Sequence, residues 1–324
     1  MIKKNFDQIK KVGEFLKGLN LELNVLPQIE KAKNKKEANE TLTLIFYVDA
    51  ICHQTRNFEG EINGKYARGW DYLLLCFIEE FKKNPSFIKV ENMERITGKM
   101  LERILKGSGD RYYERAYLLN NSARILKRDF SEDIFKINEN SGGYIRRKDG
   151  FGMIDLFRRF KAYSDPLSKK TFLFLNIAKK IGFWKIRDTE NLWTPVDYHL
   201  ERVSLRIGLV EVDKKLKDKL TEGERIPQTL DLKIRSKIGE SVKRASEISR
   251  IPIENLDQLL WALGRSLCLR EKPLCEGISD KNCTLKLISG LFCEEKCFIS
   301  HVCIAYRDQC RRKLKEANVF TIYY

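Results

Sequence analysis

The chain has 324 residues, with 61 Lys+Arg against 45 Asp+Glu, a formal net charge of +16 and 43% hydrophobic residues. That apolar fraction excludes a disordered chain, and the length points to two domains or one large one. Charges run through the opening "MIKKNFDQIKKVGEFL", which has no apolar core of signal-peptide length, and no uncharged run approaches a membrane span; the expectation is a soluble intracellular protein with no signal peptide, cytoplasmic or on the nucleoid, with no membrane partner.

In chain order, residues 1–20 read as an amphipathic helix and 31–40, "KAKNKKEANE", as a polar connector or a solvated helix. "TLTLIFYVDAICHQT" is too apolar for exposure and predicts a buried helix ending near Thr55. "TGKMLERIL" and "RYYERAYLLNNSARILKRDF" are helical patterns on either side of a glycine turn, "KGSGD", at 106–110. A glycine-rich basic loop follows, "NSGGYIRRKDGFG", at 140–152. "MIDLFRRFKAY", "SDPLS" and "KKTFLFLNIAKKIGF" then read as helix, short hairpin and helix, with Asp165 or Ser168 capping the second helix. "KKLKDKLTEGERIP" is charged and expected to be exposed, and two further helices lie in "DLKIRSKIGESVKRASEIS" and "NLDQLLWALGRSLC". Strand-like alternation is rare, so the fold class expected is all-α, with about ten or more helices.

The positive charge is either a plain solvated surface or a match for a polyanion, since Lys and Arg replace the counterions condensed along phosphates; nucleic acid is the favoured partner. Nine cysteines in an intracellular protein are not expected to be disulfides, and seven of them fall between Cys268 and Cys310, which points to a metal or cluster site. Four stand out: Cys268 and Cys275 are spaced C-x6-C, Cys297 and Cys303 C-x5-C. Soft thiolates suit zinc or an iron–sulfur cluster, and zinc more often takes C-x2–4-C spacing, so [4Fe–4S] is favoured over zinc. Cys52, Cys76 and Cys310 are expected to be structural.

"LGRSLCLREKPLC" followed by "CFISHVC" resembles the cluster loop of endonuclease III-type DNA glycosylases, members of the helix–hairpin–helix superfamily, which follows a helix ending in a Gly-Arg pair, here Gly264–Arg265. The chain departs from that pattern by an insertion between the second and third ligands, which carries Cys283 and Cys293 and leaves either as a substitute ligand. "TPVDYHLERVSLRIGLV" resembles the family's VDTHIFRV, matching Asp197, His199 and Arg202, and "YLLNNSARIL" resembles YNSKAENI at Asn121 and Ser122, read as scaffold. "AICHQTR" is similar to the family's LLSAQAT, which places Gln54 where a glutamine fills the gap left by a flipped base. The hairpin lacks the usual Leu-Pro-Gly-Val-Gly; Asp165-Pro166-Leu167-Ser168 is closer to the glycine-poor hairpin of archaeal 8-oxoguanine glycosylases.

The resemblance implies two helical lobes, a six-helix lobe over 57–195 with the hairpin and a discontinuous lobe of 1–56 plus 196–324 with the cysteine cluster at 268–303. It implies a base-excision DNA glycosylase, with AP lyase activity, that acts as a monomer on double-stranded DNA carrying a damaged, mismatched or abasic site. Lys170 falls where lyase-competent relatives keep a nucleophilic lysine, with Lys169 its neighbour and rival. Asp197 falls where a carboxylate stabilises charge building on the sugar, and an aspartate at that place is equally a helix cap. The DNA contacts implied are Gln54, Ser168, Lys169, Arg270 and Lys272, the last two held by a structural cluster. His53 reads as a satisfied core histidine, and Trp70, Tyr112, Tyr113 and Trp193 as core aromatics or base-stacking residues. Two other readings stay open: a non-catalytic nucleic-acid-binding protein, and an RNA or nucleoside N-glycosidase on the same scaffold.

Overall fold

The computed structural model describes residues 1–19, 24, 29–277, 283–291 and 295–324. Among them the protein is mostly helical, with sixteen α-helices and four short strands. In chain order these are β1 (Ile2–Lys4), α1 (Phe6–Lys17), α2 (Lys35–Ala50), β2 (Glu59–Ile62), β3 (Lys65–Arg68), α3 (Trp70–Lys83), α4 (Val90–Arg95), α5 (Gly98–Ile104), α6 (Tyr112–Phe130) and α7 (Phe135–Asn140). They continue as α8 (Met153–Phe157), α9 (Lys169–Ile181), α10 (Tyr198–Ile207), β4 (Val210–Val212), α11 (Lys214–Glu222), α12 (Gln228–Ser249), α13 (Ile253–Ser266), α14 (Thr284–Ser289), α15 (Ile304–Arg307) and α16 (Gln309–Arg312). No described helix is long and apolar enough to cross a membrane.

The chain divides into two compact units, Met1–Gln28 with Leu192–Phe320, and Ile29–Asn191 with Thr321–Tyr324. The boundary expected at 56/57 falls at 28/29 because α2, apolar on nearly every side, packs on α3, α6 and α9.

In the unit built around α2, Phe46 stacks on Tyr163 with centroids 5.2 Å apart and meets Phe160 edge-on at 5.0 Å. The Tyr163 hydroxyl donates to the Phe46 carbonyl at 2.6 Å, which satisfies a polar atom this aromatic core brings inside. The helix expected to reach Thr55 ends at Ala50. Gln54 lies in the left-handed region at φ 46°, and the carbonyls of Ile51 and His53, just past the helix end, accept from the buried Arg115 guanidinium. The hairpin before α9 is capped by Asp165, whose carboxylate accepts from Leu167 N at 3.2 Å and Lys169 N at 2.9 Å; Ser168 occupies the cap position itself at φ 57° without using its hydroxyl as a cap.

In the other unit, α1 lies against α12, and Gly13 permits that approach, since a Cβ there would stand 2.7 Å from the Ile248 side chain. α13 lies on α10 in the same manner at Gly264, where a Cβ would meet His199 at 2.9 Å and Val203 at 3.1 Å. β1 pairs antiparallel with β4. Residues 214–222, expected to be exposed, form the amphipathic α11, which is exposed on one side and buries Leu216 and Leu220 on the other.

Candidate functional site

The first turn of α9 and the last turn of α2 meet in one buried polar cluster. Lys170 is fully buried, and its Nζ donates to the Ala50 carbonyl at 2.6 Å, one of the carbonyls a helix end leaves without an internal partner. Burial, with Lys169 and Arg115 adding to it, pushes the Lys170 amine down to about 7. Lys169 is also buried, its Nζ 3.6 Å from the Cys52 thiol. Asp49 accepts from Trp70 Nε1 at 2.9 Å on one carboxylate oxygen, its other oxygen is buried without a hydrogen bond, and burial pushes its pKa up to about 7. His53 Nε2 lies 3.0 Å from Glu114, its Nδ1 is buried without a partner, and burial holds its pKa well below the ordinary range, so the ring is neutral at pH 7. Gln54 accepts from Arg111 Nη1 at 2.7 Å, and the same nitrogen donates to the Thr321 carbonyl at 3.0 Å.

In the unit that holds α10, Asp197 is the N-cap of that helix, and its Oδ1 accepts from the amides of His199 at 2.8 Å and Leu200 at 3.0 Å. The cap fixes the carboxylate at the N-terminus of the helix. Three residues on one side of α10 then lead to the cysteine loop. His199 Nδ1 accepts from Arg202 Nη2 at 3.0 Å, which puts the ring proton on Nε2. Arg202 also donates to Glu316 at 2.7 Å, to the Gly264 carbonyl at 2.9 Å and to the Cys268 carbonyl at 2.8 Å. Arg206 donates to the carbonyls of Leu269 and Arg270 at 2.6 Å each, to Leu314 at 2.7 Å and to Cys268 Sγ at 3.5 Å.

Cys268, Cys275, Cys297 and Cys303 all line one pocket, together with Arg206 and Arg312. Backbone hydrogen bonds fold the loop to that end: Leu274 N donates to Leu267 O at 2.7 Å, and Cys297 N to Cys275 O at 2.9 Å. The cavity measures about 30 Å³ as space for the centre of a water molecule, where a single water needs about 10–15 Å³. Burial raises the Cys303 thiol to about 11, with nearby Cys268 adding to the rise, and it raises Cys275 as well. Four soft donors around one cavity are the donor set an iron–sulfur cluster or zinc requires. As the side chains stand, no group of three or more His, Cys, Asp or Glu among the described residues is placed to hold a metal ion. Cys283 caps α14 and is not in the pocket lining, and Cys293 lies outside the described residues. Cys52 and Cys76 are buried and Cys310 exposed, and all the described cysteines are free.

The expected DNA contacts have unequal settings. Lys272 is exposed. Arg270 is half-buried and ion-paired with Glu316 at 3.0 Å and with Glu271. Ser168 and Lys169 are buried. Asn121 accepts from Lys161 N at 2.9 Å, and Tyr113 is exposed over Gly98. Sequence reading passed over Asp49, Arg115 and Arg206. Asp49 is the lone acid in the run "LIFYVDAIC", and Arg206 lies four residues from Arg202, hence on its face of the helix. Comparison with models of known protein families and with curated proteins gives no match.

Proposed function

We propose that the protein is a base-excision DNA glycosylase of the helix–hairpin–helix type with AP lyase activity, acting as a monomer on double-stranded DNA at a damaged, mismatched or abasic site. Lys170 supplies the nucleophile and Asp197 the carboxylate. The observation that carries this reading is the buried Lys170 amine, brought down to about 7, so that near neutral pH about half of it is unprotonated and nucleophilic. The Nζ lone pair forms a bond to C1′, and the base leaves with the C1′–N bonding electrons and takes up a proton. The attached amine loses a proton, its nitrogen forms the C=N bond as the C1′–O4′ bond breaks, and O4′ takes up a proton, which gives the ring-opened Schiff base. Loss of a C2′ proton then expels the 3′ phosphate. A carboxylate such as Asp197 offsets the positive charge that the sugar develops as the base departs. Cys268, Cys275, Cys297 and Cys303 would hold a [4Fe–4S] cluster, with zinc the alternative; when bound, the group would serve to fix the loop that carries Arg270 and Lys272.

Borohydride trapping tests the proposal. Protein is incubated with a duplex bearing one abasic site, reduced and run on a denaturing gel. A covalent adduct that Lys170→Ala loses and Lys169→Ala retains is expected; no adduct from the native protein removes the lyase step. Anaerobic purification tests the cluster separately: a yellow-brown protein with broad absorbance supports it, and a colourless protein with stoichiometric zinc overturns it.

A second reading is a nucleoside or nucleotide N-glycosidase that uses Asp197 and water. The burial of Ser168, Lys169 and Lys170 favours it, because a duplex must reach these groups and a small substrate need not touch them. Base release from free nucleosides and nucleotides equal to or above release from duplexes, seen by chromatography, would establish it. Salt-sensitive binding with no base release from any substrate would leave the non-catalytic protein.

A further inference from the structure

The glycine-rich basic loop that precedes α8 has no part in the proposed chemistry. It is hydrogen-bonded to the segment after α9, and both lie in the same unit. Arg187 N donates to Gly143 O at 2.8 Å, and the Asp188 carboxylate accepts from Ile145 N at 2.7 Å and Arg146 N at 3.1 Å. Asn138 secures the second segment from beneath: its amide nitrogen donates to Lys185 O at 2.7 Å and its oxygen accepts from Lys185 N at 3.3 Å. Alternate residues turn in and out. Ile145, Trp184 and Asp188 are buried, and Trp184 is wedged between Phe135 at 5.6 Å and Phe174 at 5.2 Å.

The outward residues are of two kinds. Tyr144 is 40% exposed, Phe151 50% and Phe183 52%. Arg146, Lys148, Lys185 and Arg187 are exposed, and none has an acidic partner among the described residues; Arg147 alone is paired, with Asp149. The Arg187 guanidinium lies 5.7 Å from the Tyr144 ring centre. Three large exposed aromatics and four cations without acidic partners among the described residues, all on these two hydrogen-bonded segments, fit an anionic cover. Rings for stacking and cations for phosphates, on a backbone held rigid beforehand, are what unpaired bases on a sugar–phosphate chain require. A duplex hides its base faces and offers only its phosphates to such a surface.

We propose that this surface, Tyr144, Phe151 and Phe183 with the cations around them, binds single-stranded nucleic acid by stacking its bases. The site does not rest on the glycosylase reading, since binding is measured without turnover. The test uses the full chain and fluorescence anisotropy of a labelled oligo-dT or oligo-U, beside a hairpin duplex of equal charge, over a range of salt. Native protein is expected to favour the single strand at every salt concentration. Tyr144→Ala with Phe183→Asn should weaken single-strand binding tenfold or more and leave duplex binding unchanged. Arg146→Gln with Lys148→Gln should flatten the log–log salt dependence by about 1.4, as two phosphate contacts on a single strand predict. Equal affinity for strand and duplex, or single-strand binding unmoved by loss of the two rings in a variant with native circular dichroism, overturns the proposal. Asp197→Asn protein should bind as the native does, so failure of the glycosylase reading and failure of this one are told apart.

Discussion

Lys170 in one unit and Arg206 in the other are both buried side chains that are cationic in water, but their settings differ. The Arg206 guanidinium meets four acceptors, the carbonyls of Leu269, Arg270 and Leu314 and the Cys268 thiol. Lys170 has one carbonyl, with Lys169 and Arg115 close enough to oppose its charge. A guanidinium keeps its proton and has to be satisfied, whereas an amine released into a crowded cationic pocket can shed its proton. Saturated burial makes a brace; undersatisfied burial leaves an amine able to lose its proton near neutral pH. The same contrast holds within the α2 unit, where Arg115 is as deeply buried as Lys170 and is used up on the carbonyls of Ile51 and His53.

The sharpest way to break this comparison is to remove the brace. Arg206→Met leaves three carbonyls without their side-chain donor and removes a buried guanidinium, and is expected to cost ~3–5 kcal/mol. Urea unfolding measures it, and a loss below ~1 kcal/mol would show that the guanidinium is not holding the cysteine loop to α10.

For Lys170 the expected effect lies in pH. Its folded pKa of about 7 is below the usual lysine value, so between about 7 and 10 the unfolded chain binds the extra proton and stability rises with pH. Lys170→Met should abolish that rise, ~2–4 kcal/mol in size, as read from denaturation at pH 7 and pH 10. Asp49 runs the other way. Its folded pKa of about 7 is above the carboxylate range, so the folded state holds the extra proton and stability falls as pH climbs from about 4 to 7, a fall that Asp49→Asn should remove. The trapped adduct should grow as pH passes upward through 7, where the amine loses its proton; a flat profile from pH 5.5 to 8.5 would mean the nucleophile is some other group.

Gly264→Ala sharpens the comparison from the packing side. The new methyl would meet the Cβ and backbone carbonyl of His199, which cannot swing away as a long side chain can, so α13 must lift from α10 at ~1–3 kcal/mol. Both helices supply groups to the brace, Gly264 O and Arg202 among them, so the change should also loosen the cysteine loop, read as faster thiol labelling of Cys268 and Cys275.

What was legible in the sequence was local. The cap at Asp197, the helices α10 and α13 and the close spacing within the pairs Cys268–Cys275 and Cys297–Cys303 all follow short-range patterns of periodicity and spacing, whereas the meeting of the two pairs on one pocket does not. The β2–β3 hairpin was legible too and was passed over: Asn63 and Gly64, both at positive φ, are the Asn-Gly turn such hairpins favour. The β1–β4 pairing was beyond reach, because three residues near the start find three more than two hundred positions later. So was the burial of Arg115, Arg202 and Arg206. A basic composition reads as a solvated surface until the acceptors that bury a cation, here main-chain carbonyls of distant loops, are brought to it by the fold.

The smallest stability effect bears on the chemistry most directly. Asp197 has two possible employments, as the cap of α10 and as the carboxylate beside a reacting sugar, and its Oδ1 is already committed to the amides of His199 and Leu200. Asn caps a helix about as well as Asp, so Asp197→Asn should hold stability within ~0.5 kcal/mol, while Asp197→Ala should lose ~1 kcal/mol. A carboxamide cannot offset positive charge on a sugar, so base release should fall at least a hundredfold in Asp197→Asn despite the intact cap. If Asp197→Asn keeps both stability and base release, the residue is a cap and nothing more, and the carboxylate of this chemistry must be sought elsewhere, first at Asp49, whose second oxygen is buried with no hydrogen bond.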